Sequence, residues 1–140
     1  MLDTIWLALA AIGVATNSPQ WIAVALHGRL ADLHQDRCIF RAQVDVENYQ
    51  SAVRDFKFHC GRYPTTQEGL EALIHEPLFR KGWRGPYVKT LTVDPWGHPY
   101  LYKRPGAHNP RDFDLYSLGP DGVESKDDIG NWPNRPTGSR

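Results

Sequence analysis

Seven apolar residues between Ile39 and Cys60 recur at intervals of 3, 4, 3, 4, 3 and 4. Ile39, Ala42, Val46, Tyr49, Val53, Phe56 and Cys60 therefore trace one stripe along a helix of about 3.6 residues per turn. A strand cannot hold them on one side, because it shows alternate residues to the same face. The other faces carry Arg41, Gln43, Asp45, Glu47, Gln50, Arg54, Asp55 and Lys57. No glycine or proline interrupts from Leu30 to Cys60, Gly61 supplies a stop, and Pro64 follows. Leu26, Leu30 and Leu33 fall out of phase with the stripe, so the upstream turns face something else. An amphipathic helix must bury its stripe, and the partner has to come from the remaining sequence.

The same helix settles the cysteines. Cys38 and Cys60 are the only two, 22 positions apart. On one helix that separation is about 33 Å at about 1.5 Å per residue. A disulfide needs Cα atoms roughly 4.4–6.8 Å apart. Two small, half-buried thiols are the expectation, not a bridge.

Upstream, no charge lies between Asp3 and Arg29. Ile5 to Ala15 is almost wholly apolar, Trp21 to Leu26 is apolar again, and Thr16-Asn17-Ser18-Pro19-Gln20 separates them. The length suits a membrane span of about 20 residues. The polar middle and Pro19, which would kink a helix, argue against an unbroken one. Leu7 to Ala15 also has the character of a signal-peptide core without its basic start. Membrane anchor, atypical signal and buried helix stay open for residues 1–29; residues 30–140 read as one globular domain.

Downstream, Thr65-Thr66-Gln67-Glu68 has the form of a capping box, Thr65 at the N-cap and Glu68 at N3. A short helix is expected through Leu70, Leu73 and Ile74, ended by Pro77. Residues 77–97 hold six glycines and prolines (Pro77, Gly82, Gly85, Pro86, Pro95, Gly97) and four large aromatics (Phe79, Trp83, Tyr87, Trp96). That composition predicts a loop folded over the helix stripe. Pro99-Tyr100-Leu101-Tyr102-Lys103 and Phe113-Asp114-Leu115-Tyr116-Ser117-Leu118 alternate as strands, joined by turn-forming Pro105-Gly106 and Asn109-Pro110. Ile129-Gly130-Asn131-Trp132 is a third, very short candidate. The expected class is α+β: one long helix on a small antiparallel sheet.

With 140 residues, 41% hydrophobic and 23% charged, the chain suits a single folded domain, not a disordered one. Its net charge of zero excludes a globally basic nucleic-acid binder. The zero is a cancellation. From Arg80 to Arg111 there are seven bases against Asp94; from Asp114 to Asp128 there are five acids against Lys126, so +6 is followed by −4.

The acidic stretch centres on Leu118-Gly119-Pro120-Asp121-Gly122-Val123-Glu124-Ser125-Lys126-Asp127-Asp128. Calcium takes about six to eight hard oxygens, and a tight turn bearing Asp121, Ser125, Asp127 and Asp128 offers them. Close carboxylates without a cation repel. The EF-hand spacing is absent, so on spacing alone a solvated acidic turn and a cation site both stand. His27, His34, His59, His75, His98 and His108 are scattered without zinc spacing. No nucleophile elbow, P-loop or dinucleotide fingerprint occurs. The basic stretch reads as a charged loop surface over core aromatics.

Several blocks resemble a known family. Gly61-Arg62-Tyr63-Pro64-Thr65-Thr66-Gln67-Glu68-Gly69-Leu70, Trp83-Arg84-Gly85-Pro86-Tyr87 and Asp94-Pro95-Trp96-Gly97-His98-Pro99-Tyr100 are similar to segments of the major pseudopilins of bacterial type II secretion systems. So are Phe113-Asp114-Leu115-Tyr116-Ser117-Leu118-Gly119-Pro120-Asp121-Gly122 and Asp128-Ile129-Gly130-Asn131-Trp132. The resemblance runs from roughly Asp36 to Trp132. It implies the same pilin-like fold and no enzymatic activity. It implies assembly with other pseudopilin subunits and secretion-machinery components into a periplasmic filament that supports export across the outer membrane, tethered to the inner membrane. It also implies one bound calcium ion (Ca2+), with Asp121, Asp127 and Asp128 as carboxylate ligands, completed by the Leu118 carbonyl and a Ser125 oxygen.

The family's leader, its Gly-Phe processing site and the glutamate inside its apolar helix have no counterpart among the first residues here. Two roles are therefore carried forward. One is a filament subunit with an atypical start. The other is a non-polymerising pilin-like periplasmic module that contacts the machinery or a secreted partner.

Overall fold

The computed structural model describes residues 19–78 and 81–133, with side chains from residue 27 onward. The apolar run Ile5 to Ala15, Phe79 and the tail beyond Pro133 lie outside the described residues. No helix among the described residues is long and apolar enough to cross a membrane. The chain divides into two compact units, Met1–Arg37 and Cys38–Arg140, and the fold below is that of the second.

Helix α1 spans Pro19–Cys60. Pro19, expected to kink a helix, opens this one instead; its missing N–H is harmless in the first turn. The predicted stripe is the buried face: Ala42, Val53 and Phe56 have no exposed surface, and Val46 and Tyr49 are buried with them. Ile39 and Cys60, at its ends, are half-buried, and Cys38 and Ala52 widen it. Neither cysteine forms a disulfide, as their separation on one helix requires. Gly61 ends α1 at φ +75°, its N–H donating 2.8 Å to the Lys57 carbonyl. That left-handed stop favours glycine, which has no Cβ to strain there.

The sheet is antiparallel in the order β1 (Leu101–Lys103), β2 (Asp114–Ser117), β3 (Ile129–Gly130). Leu101 pairs with Tyr116 and Lys103 with Asp114; across the other edge Ser117 pairs with Ile129. The strands are shorter than the alternation suggested. Asn131 leaves the ladder, and its side-chain Oδ1 accepts the Leu115 N–H at 3.0 Å while its own N–H donates 3.0 Å to the Leu115 carbonyl. Nor does β2 alternate in burial. All four residues are buried, because it is the central strand and is covered on both faces.

Helix and sheet share one core. Val53, Phe56, Leu73, Phe113 and Leu115 are its fully buried centre. Tyr49 meets Tyr100 edge-on at 5.3 Å, and the Tyr100 hydroxyl donates to Asp45 at 2.9 Å, tying α1 to the strand region. The aromatic loop folds over the core as expected: Trp83 and Tyr87 pack against it, Tyr87 lying 5.9 Å from Phe56.

The capping box forms, but the helix it predicts does not. Thr65 N–H donates to Glu68 at 2.8 Å, and Glu68 N–H donates to the Thr65 hydroxyl at 3.2 Å. Gly69 then turns to φ +55°, and the chain restarts as a short 3₁₀ segment, Gly69–Leu73. The left-handed glycine breaks the α register while still burying Leu70 and Leu73.

Candidate functional site

The acidic loop is the connection between β2 and β3. Pairing of Ser117 with Ile129 holds its two ends side by side. A 3₁₀ turn, Gly119–Asp121, opens it, and Gly122 follows at φ +66°. The five residues expected to hold calcium all fall here, but they are not equivalent. Leu118 is half-buried, Asp128 is buried, and Asp121, Ser125 and Asp127 are exposed. Asp121 accepts the Val123 N–H at 3.1 Å, bracing its own turn. The Ser125 hydroxyl bonds Asp127, and the Ser125 N–H donates to Asp128 at 3.1 Å.

The donor chemistry suits a hard divalent cation: three carboxylates, a hydroxyl and the Leu118 carbonyl. Asp128 carries the electrostatic load. Burial pushes its carboxyl up, the Ser125 N–H pulls it back, and Glu124, Asp127 and Asp121 push it up further. Among the described residues, however, no three His, Cys, Asp or Glu side chains are gathered closely enough to hold a metal. The loop therefore presents the ligands without converging them.

What fixes the loop is a group absent from the sequence expectations. Asp94 is 3% exposed. Its carboxylate accepts N–H groups from Trp96 at 3.0 Å and His98 at 2.8 Å and the Ser117 hydroxyl at 2.5 Å. The Ser117 oxygen in turn accepts the Gly119 N–H at 3.0 Å, and His98 Nδ1 lies 3.1 Å from the Gly119 carbonyl. Both polar ends of Gly119 are thus gripped at the loop entrance. Gly122 lies against the same imidazole, so close that a Cβ there would come within 2.8 Å of His98 Nε2. Serine, aspartate and histidine meet here structurally; Ser117 is fully buried, so no nucleophile is presented. The legible signal was Asp94-Pro95-Trp96-Gly97, an aspartate that bonds the amides of its own turn.

Asp114 also departs from expectation. Counted with the loop acids, it is 1% exposed and serves the β1–β2 connection instead. Burial alone would raise its pKa, but the amides of His108 and Asn109, with the His108 ring, hold it below the usual carboxylate range. Glu124 is spent on Lys103, 3.0 Å away, so the basic and acidic segments partly neutralise each other.

Comparisons with known proteins agree with this architecture. The sequence profile described as "Type II secretion system (T2SS), protein G" matches residues 32–132. The type II secretion system core protein G of Pseudomonas aeruginosa is 46% identical over 101 residues, covering 66% of this chain and 70% of that protein. That of Klebsiella pneumoniae is 45% identical over 93 residues, covering 63% of this chain and 65% of that protein. Among solved structures, the major pseudopilin from the type 2 secretion system of enterohaemorrhagic Escherichia coli superposes with a TM-score of 0.65 at 33% identity, covering 75% of this chain and 91% of that chain. Matched over most of its length in sequence and in fold, the chain belongs to the type II secretion system protein G family, whose members are structural pseudopilins and not enzymes.

Proposed function

We propose that the chain is a structural subunit of a type II secretion pseudopilus, with its globular unit in the periplasm and its N-terminal segment in the inner membrane, supporting export across the outer membrane. The observation that carries this reading is how α1 spends its apolar residues. One stripe is consumed by the chain's own core, while Leu30, Leu33 and Phe40 are 63%, 59% and 67% exposed. Large apolar side chains left in water on a helix call for cover, and other pseudopilin subunits supply it in an assembly. A photo-crosslinker in place of Phe40, in cells, tests this. Ladders of homo-oligomers are expected. A single heterologous band supports the non-polymerising module instead, and absence of any crosslink removes both.

The loop between β2 and β3 is read as a calcium site built from Asp121, Asp127, Asp128, Ser125 and the Leu118 carbonyl. A buried carboxylate surrounded by others supports it, since a divalent ion offsets their mutual repulsion. Asp121 accepts the Val123 N–H through Oδ1, which leaves Oδ2 for the ion. A ligand at about 100 times its Kd stabilises by about 2.7 kcal/mol. Calcium is expected to raise Tm, chelator to reverse the gain, and Asp121→Ala to abolish it; identical melting with calcium and with chelator would sink the assignment.

A further inference from the structure

A second concentration of charge lies at the C-terminal end of α1. There Lys57, Arg62, Tyr63 and Arg104 line a cleft of about 370 Å³ beside the Gly61–Thr65 turn. Lys57 Nζ sits 4.2 Å from the centre of the Tyr63 ring, and Arg104 Cζ sits 4.6 Å from the same centre. An aromatic face attracts cations, so Tyr63 holds both groups at the cleft. Among the described residues neither cation has a carboxylate partner.

Arg104 is held in place. The Thr66 hydroxyl donates to its carbonyl at 2.8 Å and accepts its N–H at 2.9 Å, and its Nη1 donates to the Asp112 carbonyl at 2.9 Å. Arg62 is different. Its two Nη groups are satisfied by Glu68, at 2.7 and 2.6 Å, but its Nε–H is buried with no acceptor. Glu68 answers Arg62 and not Lys57 or Arg104, so among the described residues the cleft keeps two positive charges without a carboxylate, beside an unanswered donor. Buried donors are normally paired, and an exception asks for an explanation.

We propose that this cleft, with Lys57 and Arg104 in its lining, binds an oxyanion, a carboxylate or phosphate group. The guanidinium fork and the ammonium are the usual recognition groups for such oxygens. The source is either a free anion or an acidic side chain of a partner protein. The inference does not depend on calcium or on polymerisation.

The test is a titration of the full chain in non-ionic detergent, followed by the arginine Nε–H signals and by Tm. Inorganic phosphate and a short glutamate-rich peptide are added separately, with ionic strength held by chloride. Saturable shifts at Arg62 and Arg104 are expected, with a rise in Tm. A charge-assisted hydrogen bond is worth about 1.5–3 kcal/mol, so Lys57→Gln and Arg104→Gln each lose about tenfold or more in affinity. Lys57→Arg, which keeps the charge, retains binding. Saturation by phosphate assigns the free anion, and saturation by the peptide alone assigns the acidic side chain. Shifts no larger than those from chloride, or affinity unchanged in both glutamine variants, overturn the proposal.

Discussion

The Glu68 carboxylate accepts both Arg62 Nη groups and the Thr65 N–H, and it stands three residues after the N-cap of its own turn. The Arg62 hydrogen bonds, ahead of every other influence, hold it at about 2. Its folded pKa is thus below the ordinary glutamate value of about 4.3. The stabilisation is complete above that value and is lost as pH falls toward about 2. Glu68→Gln is expected to cost about 1–2 kcal/mol at neutral pH, between the ranges for exposed ion pairs and charged hydrogen bonds. The variant should also lose less stability than wild type when acidified from about pH 5 to about pH 3. Equal acid slopes in the two proteins would remove Glu68 from this role. The capping box was readable from four consecutive residues, because its partners are local. The Asp94 grip on Ser117, 23 residues on, depends on where the chain returns, and spacing carries no trace of that.

Gly106 makes the same point from the opposite side. A Cβ there would lie 2.4 Å from Asp114 Oδ1. The glycine lets the β1–β2 connection close on a carboxylate that already bonds His108 and Asn109. Gly106→Ala should displace that carboxylate and lower Tm more than alanine at Gly97, where nothing lies within 4 Å. Since Gly97 sits at φ +96°, its own substitution is strained and makes a demanding control. The expectation fails if the two changes cost the same.

At the scale of the element, α1 was legible because its period is intrinsic to the helix, and five of the seven stripe positions are buried. Phe56 and Phe58 stand two residues apart on it, at 0% and 84% exposure. Phe56→Ala removes a ring from the centre of the core and is expected to cost about 3–5 kcal/mol. Phe58→Ala should stay within about 0.5 kcal/mol, as an exposed site does. Denaturant unfolding separates the two, and comparable losses would contradict the assigned face. The strands were less legible. Their positions followed from residue type and turns, but the burial of β2 on both faces and the substitution of Asn131 for a ladder residue arise only when the sheet is assembled.

For the whole molecule, the cancelling charges take on a physical layout. Part of the imbalance is closed internally by Lys103 and Glu124, part is buried at Asp114, and of the described bases of the positive stretch only Arg104 joins Lys57 at the cleft, while Asp121, Asp127 and Asp128 stay in the acidic loop. The core draws on α1, the 3₁₀ segment, β1 and β2, so it opens as one unit. The loop contributes only Gly119 and Asp128 to the buried set and is expected to open separately. Hydrogen exchange should reflect that division. The Val53 and Leu115 amides are expected to exchange only through global opening, and the Val123 and Lys126 amides many-fold faster. Calcium should slow Val123 and Lys126 strongly at concentrations where the core amides change only by the gain in global stability. A uniform slowing throughout the unit would place the ion's effect elsewhere than the loop. Phosphate should leave the loop amides untouched, which keeps the two charged sites separable in one experiment.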